Sequence, residues 1–323
     1  MKKFRRNRAT KLSFPQKQLE KGLTTARGEA MAYLLFAALL WGLSYGVNGL
    51  AMEFATASTM GLLYGCVAAT MFFPFAEHAS SRKLRWHCLG IGAVQLGIMH
   101  YFYQNAFIHL ESHQVALLGL VTPIYVGLFG DLLERRRPWL QLAFALGTVA
   151  IAAYAVGGRF SSHCSLRGVI ECQLANATYA LGQILYGRLR AVHPGLADRS
   201  ALFWMNLGAL APLLLTLLIP AASPPIPFRW EFGQLSILLF LGIFCSGVGN
   251  YLWNKGVARV PSDILSIANN LPVLFGVLFG VFFFGEGGNW PRQISGIAGL
   301  LGLLWLNSWV RRGRRGKEMG EAR

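Results

Sequence analysis

Ten apolar runs, each close to the ~20 residues an α-helix needs to cross hydrocarbon, divide this chain at roughly 30–50, 54–75, 87–107, 113–133, 139–157, 168–187, 201–220, 232–254, 263–285 and 292–310. Backbone amides find no water inside a bilayer, so such a chain is restricted to helices that satisfy their own hydrogen bonds. A soluble fold would carry charge on about a quarter of its residues. Here 14% are charged, 54% are hydrophobic and mean hydropathy is +0.43. The depletion runs the whole length and leaves little room for a separate soluble domain. The expected fold class is an all-α polytopic membrane protein of ten transmembrane helices.

A repeat narrows this further. Asn254, Pro272 and Gly276 stand at one offset, 149 residues, from Asn105, Pro123 and Gly127. In each half the Asn precedes a short turn, Glu111-Ser112-His113 or Arg259-Val260-Pro261-Ser262, and the Pro and Gly follow in the next apolar run. Repeated spacing of this kind marks one unit used twice. The chain then divides into a basic tail (1–28), a first five-span repeat (29–157), a connecting loop (158–167), a second five-span repeat (168–310) and a basic tail (311–323).

Charge sets the orientation. With both termini inside, the cytoplasmic side receives 26 of the 30 Lys and Arg, nine of them between Lys2 and Arg27. Only Arg159, Arg167, Arg229 and Arg292 fall outside. Positive residues concentrate on cytoplasmic loops, so the net charge of +16 reflects topology, and no nucleic-acid partner is expected. The tail before Arg27 reads as cytoplasmic and suited to anionic lipid, not as a cleaved signal. Five spans per repeat is an odd number, so the second half is inserted upside down. Inverted repeats are a recurrent design of secondary transporters, in which one site faces either side by rocking.

Several classes are disfavoured. The five Cys are scattered without metal spacing, and the seven His show no paired ligand motif. No phosphate-cradling loop is present, and no catalytic set, metal or cofactor emerges. Asp131, Glu134, Glu171 and Glu286 all fall near span ends, which disfavours proton exchange through a mid-membrane carboxylate.

The ten-span layout resembles the drug/metabolite transporter superfamily, specifically its EamA type with two inverted repeats. The resemblance rests on Leu40-Trp41-Gly42 in span 1 and Tyr251-Leu252-Trp253-Asn254 ending span 8. It continues through Asn270 to Val273, Gly285-Glu286 closing span 9, and the Gly-rich span 10 from Gly296. It covers about Ala30 to Val310 and fits the second half better, since Pro123 to Glu134 is shorter than Pro272 to Glu286. It implies movement of small metabolites, with many members exporting amino acids.

Polar side chains inside spans turn toward the bundle or a wet cavity, and helical spacing groups them. Trp41, Tyr45 and Asn48 share a face of span 1, and Ser246, Asn250 and Trp253 share one in span 8. Span 6 offers Gln173, Asn176 and Gln183 with Tyr179 beside them; span 3 offers Gln95, His100 and Tyr103; span 9 adds Asn269 and Asn270. Together they read as a substrate pathway of rings and amides. The bland alternative is interhelical hydrogen bonding, worth about 0.6 kcal/mol each. Pro123 and Pro272 interrupt their helices and are candidate hinges. Gly276 and Gly280 read as a close-packing surface, with a homodimer motif as the alternative.

The expectation is a multi-pass inner-membrane secondary transporter, both termini cytoplasmic, whose partners are a small-molecule substrate and the lipid bilayer. Amino-acid export by alternating access leads. Uptake of a nucleoside-like or cofactor-like solute is the first rival. A membrane scaffold or lipid-modifying enzyme is the second.

Overall fold

The computed structural model describes residues 13–78, 81–135, 139–156, 165–218, 231–257, 268–285 and 290–321. The turn at Arg259–Ser262, Glu286, the residues before Ser13 and most of the loop between the halves lie outside them. Among the described residues there is helix and turn and no strand.

The first half comprises α1 (Ser13–Ala51), α2 (Ala57–Phe72), α3 (Arg82–Gly92), α4 (Met99–His109), α5 (Ser112–Gly119), α6 (Thr122–Leu133) and α7 (Trp139–Val156). The second comprises α8 (Leu166–Val192), α9 (Asp198–Thr216), α10 (Phe232–Leu239), α11 (Asn250–Val257), α12 (Leu271–Phe284) and α13 (Trp290–Glu321). α1 starts within the basic tail and α13 continues past residue 310, so both end spans extend beyond their apolar runs.

Two spans are continuous helices widened in the middle. A π-helical stretch, Ala93–Ile98, joins α3 to α4, and another, Phe240–Gly249, joins α10 to α11. Shifting the first by the 149-residue offset lands it inside the second. Such π turns re-aim side chains and recur at functional sites. Spans 4 and 9 share a different break. α6 opens with Pro123 and α12 with Pro272 in the first turn, where the missing proline N–H costs nothing. Ahead of α6, Leu120 and Val121 end the shorter α5. Pro123 therefore restarts a broken helix, and Pro272 opens α12 directly after a turn at Asn269 and Asn270. α5 itself begins with a reciprocal cap, in which Gln114 accepts from the Glu111 backbone N–H at 3.0 Å.

The packing carries the two-fold relation. α1 packs on α12 as α8 packs on α6, and α11 lies on α1 as α4 lies on α8. The second π stretch meets α2 as the first meets α9. α2 with α9, α5 with α12 and α7 with α13 pair across the halves. Exchanging spans 1–5 with spans 6–10 maps this set of neighbours onto itself, as an in-plane pseudo-two-fold axis requires. The α3–α9 crossing is tight enough to need glycine on both sides: a Cβ on Gly92 would enter the backbone of Met205, and one on Gly208 the backbone of Leu89. Small residues of this kind permit close approach in membranes, where apolar burial alone does not drive helices together.

Among the described residues, four helical stretches qualify outright as spans by length and hydropathy: Gly28–Ala51, Ala57–Ala76, Ser112–Leu133 and Phe232–Gly256. Spans 3 and 6 do not, because they carry Gln95, His100, Gln104 and Asn105, and Glu171, Gln173, Asn176 and Gln183. Several of these amides are buried within the bundle, Gln95, Gln104 and Asn105 among them. Cations gather at helix ends instead: Arg199 lies 5.3 Å over the ring of Tyr251 and Lys255 4.6 Å over Tyr33.

Candidate functional site

A cavity holding about 140 Å³ of water-accessible space lies between the halves, lined from spans 1 to 4 on one side and 6, 8 and 9 on the other. Spans 5, 7 and 10 do not reach it.

α1 supplies Trp41, Ser44, Tyr45 and Asn48 to its wall. The Trp41 indole N–H donates to the Cys245 carbonyl at 3.0 Å, in the second π stretch. Its ring packs 4.9 Å from that of Trp253 and edge-on to Tyr179 at 6.4 Å. This ties span 1 to spans 6 and 8 of the other half.

Asn48 is the hub of the opposite end. Its Oδ1 accepts from the Tyr64 hydroxyl at 2.6 Å and from Gln104 Nε2 at 2.8 Å, while its Nδ2 donates to the Ser44 carbonyl at 2.7 Å. Three spans of the first half therefore meet at one buried amide. The ring of His100 stands edge-on to Tyr64 at 5.5 Å, and its Nδ1 lies 2.6 Å from the Leu96 carbonyl. A carbonyl oxygen only accepts, so Nδ1 carries the proton and a neutral ring keeps Nε2 as an acceptor.

From the second half, Asn176 Nδ2 donates to the Leu118 carbonyl at 2.9 Å, just before the span 4 break. Asn250 Nδ2 donates to the Ser246 carbonyl at 2.8 Å. Each amide thereby spends a donor on the scaffold and keeps its oxygen. Tyr179 lines the cavity with its ring, its hydroxyl buried beside Gln183 one turn along the helix. Among the described residues the wall contains no Asp, Glu, Lys or Arg. Asp131 is buried away from it, and Glu171 pairs with Arg167 at 3.0 Å.

The structure brings together Trp41, Tyr45, Asn48, His100, Tyr103, Asn176, Tyr179, Ser246, Asn250, Asn269 and Pro272 of the residues expected from sequence. It does not bring in Gln95, Gln173, Gln183, Trp253, Asn270 or Pro123. Trp253 stands behind Trp41, Gln173 accepts from the Tyr125 hydroxyl at 3.2 Å, and Gln95 lies where a Cβ on Gly182 would strike it. Thr122, next to Pro123, takes that place in the wall. Sequence reasoning passed over Tyr64, Ser44 and Thr122. Tyr64 is the one tyrosine of a Gly- and Ala-rich span, and that was its only signal. Gly276 turns inward, where a Cβ would meet the Tyr45 ring and Ala116, so it packs helices of one chain.

A bundle of inverted five-helix halves closed around one central cavity defines a membrane carrier. The chain belongs to the EamA-like transporter family, whose model matches it twice, over residues 28–158 and 166–308. Among curated relatives it is 31% identical to a protein named biotin transporter from Salmonella typhimurium, over 87% of this chain and 94% of that one. It is 32% identical to a probable biotin transporter from Pseudomonas aeruginosa, over 87% and 99%. An uncharacterized transporter from Bacillus subtilis, YwfM, is 25% identical over 87% and 94%. A solved crystal structure superposes with a TM-score of 0.61 at 16% identity, covering 88% of this chain and 98% of that one, a likeness of fold alone.

Proposed function

We propose that this protein carries biotin or a closely similar cofactor into the cell across the inner membrane, with both termini cytoplasmic. The names of its relatives support the solute class, and the charge-free wall of the cavity carries the argument. A zwitterionic amino acid would bring two ions into a site offering neither counter-charge, and unpaired buried charge is costly. A fused cyclic urea asks for what the wall holds: amide and phenol groups that donate and accept, with aromatic faces for the apolar rings. Biotin brings only its carboxylate as charge. The cofactor reading thus takes precedence over amino-acid export.

Binding would engage the oxygens of Asn176 and Asn250 that the scaffold leaves free, with Trp41, Tyr45 and the ring of Tyr179 flanking the solute. Pro123 restarts a broken helix and Pro272 follows a turn, so spans 4 and 9 are suited to swing when the halves rock. Labelled biotin uptake tests this, in a biotin auxotroph lacking its own carrier and expressing this chain. Uptake at limiting biotin is expected, with Asn250→Ala and Trp41→Ala each losing at least tenfold in flux at equal membrane abundance, about 1.4 kcal/mol of binding. Normal flux in both variants would refute the cavity. An unlabelled amino acid accumulating in the medium, with no biotin uptake, would restore the export reading.

A further inference from the structure

A second cavity, about 630 Å³, opens on the outside of the bundle between α3 and the end of α8. Its rim carries Lys83, His87, Arg188 and His193, all exposed. No Asp or Glu lines it. Neither Lys83 nor Arg188 has an ion-pair partner among the described residues. Arg188 makes one long bond, 3.5 Å, to the Leu133 carbonyl. Ser81 at the same rim caps α3, its Oγ accepting from Leu84 N–H at 3.2 Å, so the positive end of that helix dipole adds to the cationic field.

Below the rim the wall is apolar, formed by Gly90 and Ile91 from α3 and by Leu185 from α8, with Leu189 level with Arg188 and Val192 at the rim beside His193. Val192 is 72% exposed and Trp86, on the same groove, 63%. Tryptophan exposed where a span leaves hydrocarbon is a headgroup-level anchor. The groove therefore offers positive charge at one end and an apolar trough at the other, along two membrane helices. A small anion would use the rim and leave the trough wet. A neutral lipid would use the trough and leave the cations unmatched. Basic pockets between membrane helices suit anionic headgroups, and only a ligand with both parts matches this groove.

We infer that this groove binds an anionic phospholipid, its phosphate between Lys83 and Arg188, its acyl chain along Gly90, Ile91 and Leu185, and its headgroup level with Trp86. Such a lipid would staple the start of span 3 to the end of span 6, the two spans that bring His100 and Asn176 to the central cavity.

The test uses the purified full chain in neutral detergent, with dioctanoyl phosphatidylglycerol titrated against thermal unfolding. Dioctanoyl phosphatidylcholine and inorganic phosphate serve as separate arms. Saturable stabilisation by the phosphatidylglycerol is expected, with the midpoint concentration rising about fivefold in Lys83→Gln or Arg188→Gln and about 25-fold in the double variant. Both residues are exposed, so these variants fold. Val192→Glu, which puts a charge of the phosphate's own sign at the rim beyond Arg188, should weaken binding with Lys83 and Arg188 in place. Equal stabilisation by phosphatidylcholine, an unchanged midpoint in the double variant, or phosphate acting as strongly as the lipid would each overturn the assignment. Because the readout is stability, it is independent of the transported solute.

Discussion

Replacing Asn48 by Ala tests whether the first half is held around its buried amide. The substitution removes the acceptor of the Tyr64 hydroxyl and of Gln104 Nε2 together. Interhelical hydrogen bonds in membranes average about 0.6 kcal/mol and reach about 1.7. The structure says which figure applies to each. The Tyr64 hydroxyl borders the cavity and can turn to water there, so its loss belongs near the average. Gln104 is fully buried and its Oε1 already lacks a partner, so losing Asn48 leaves its amide only the Tyr64 hydroxyl, and this loss belongs near the upper limit. The sum is about 2 kcal/mol, a folded-to-unfolded ratio lower by roughly 30-fold. Tyr64→Phe removes one bond only and should cost about 0.6 kcal/mol. Unfolding in mixed micelles of rising dodecyl sulfate content, followed by tryptophan fluorescence, measures both. Adding Gln104→Leu to Asn48→Ala removes the stranded amide and should recover about 1 kcal/mol. If Asn48→Ala costs no more than Tyr64→Phe, or if Gln104→Leu brings no recovery, the hub reasoning is wrong.

Two further predictions concern the scaffold. Gly208→Val would drive a branched side chain into the Leu89 backbone at the α3–α9 crossing, where neither backbone can yield; membrane-inserted, folded protein should fall several-fold on size-exclusion profiles, with Gly208→Ala intermediate. Arg135 holds φ at +55° after α6, as Gly285 holds +63° after α12. A left-handed conformation costs a non-glycine residue roughly 1–2 kcal/mol, so Arg135→Gly should raise the unfolding midpoint, whereas Gly285→Arg should lower it.

These two residues also show how the repeat is written. By sequence the first-half equivalent of Gly285-Glu286 looked displaced, since Glu134 comes early. The structure matches the halves through backbone conformation instead: Arg135 and Gly285 are one residue out of the 149 register, and both end their helix left-handed. The acidic side chain was the wrong marker, because a helix stop is set by the φ it imposes.

What the sequence by itself determined was the membrane class, the helical fold, the division into two halves and the residue types of the site. Ten apolar lengths and a charge asymmetry suffice for that, because hydrocarbon thickness and unpaired amides leave few solutions. The spacing of Trp41, Tyr45 and Asn48 was legible because α1 is regular there and one turn repeats the last. Spans 3, 6 and 8 were less legible. Which amides turn to the cavity depends on π stretches at Ala93–Ile98 and Phe240–Gly249 that rotate the helix after them, and on neighbours such as Gly182 that draw Gln95 into packing. Tyr64 joined the site only because Asn48 and Gln104, 16 and 40 residues away, meet its hydroxyl through tertiary contact. Periodicity reports the face of one helix; which faces converge is decided by the crossing of several, and only the folded bundle contains that information.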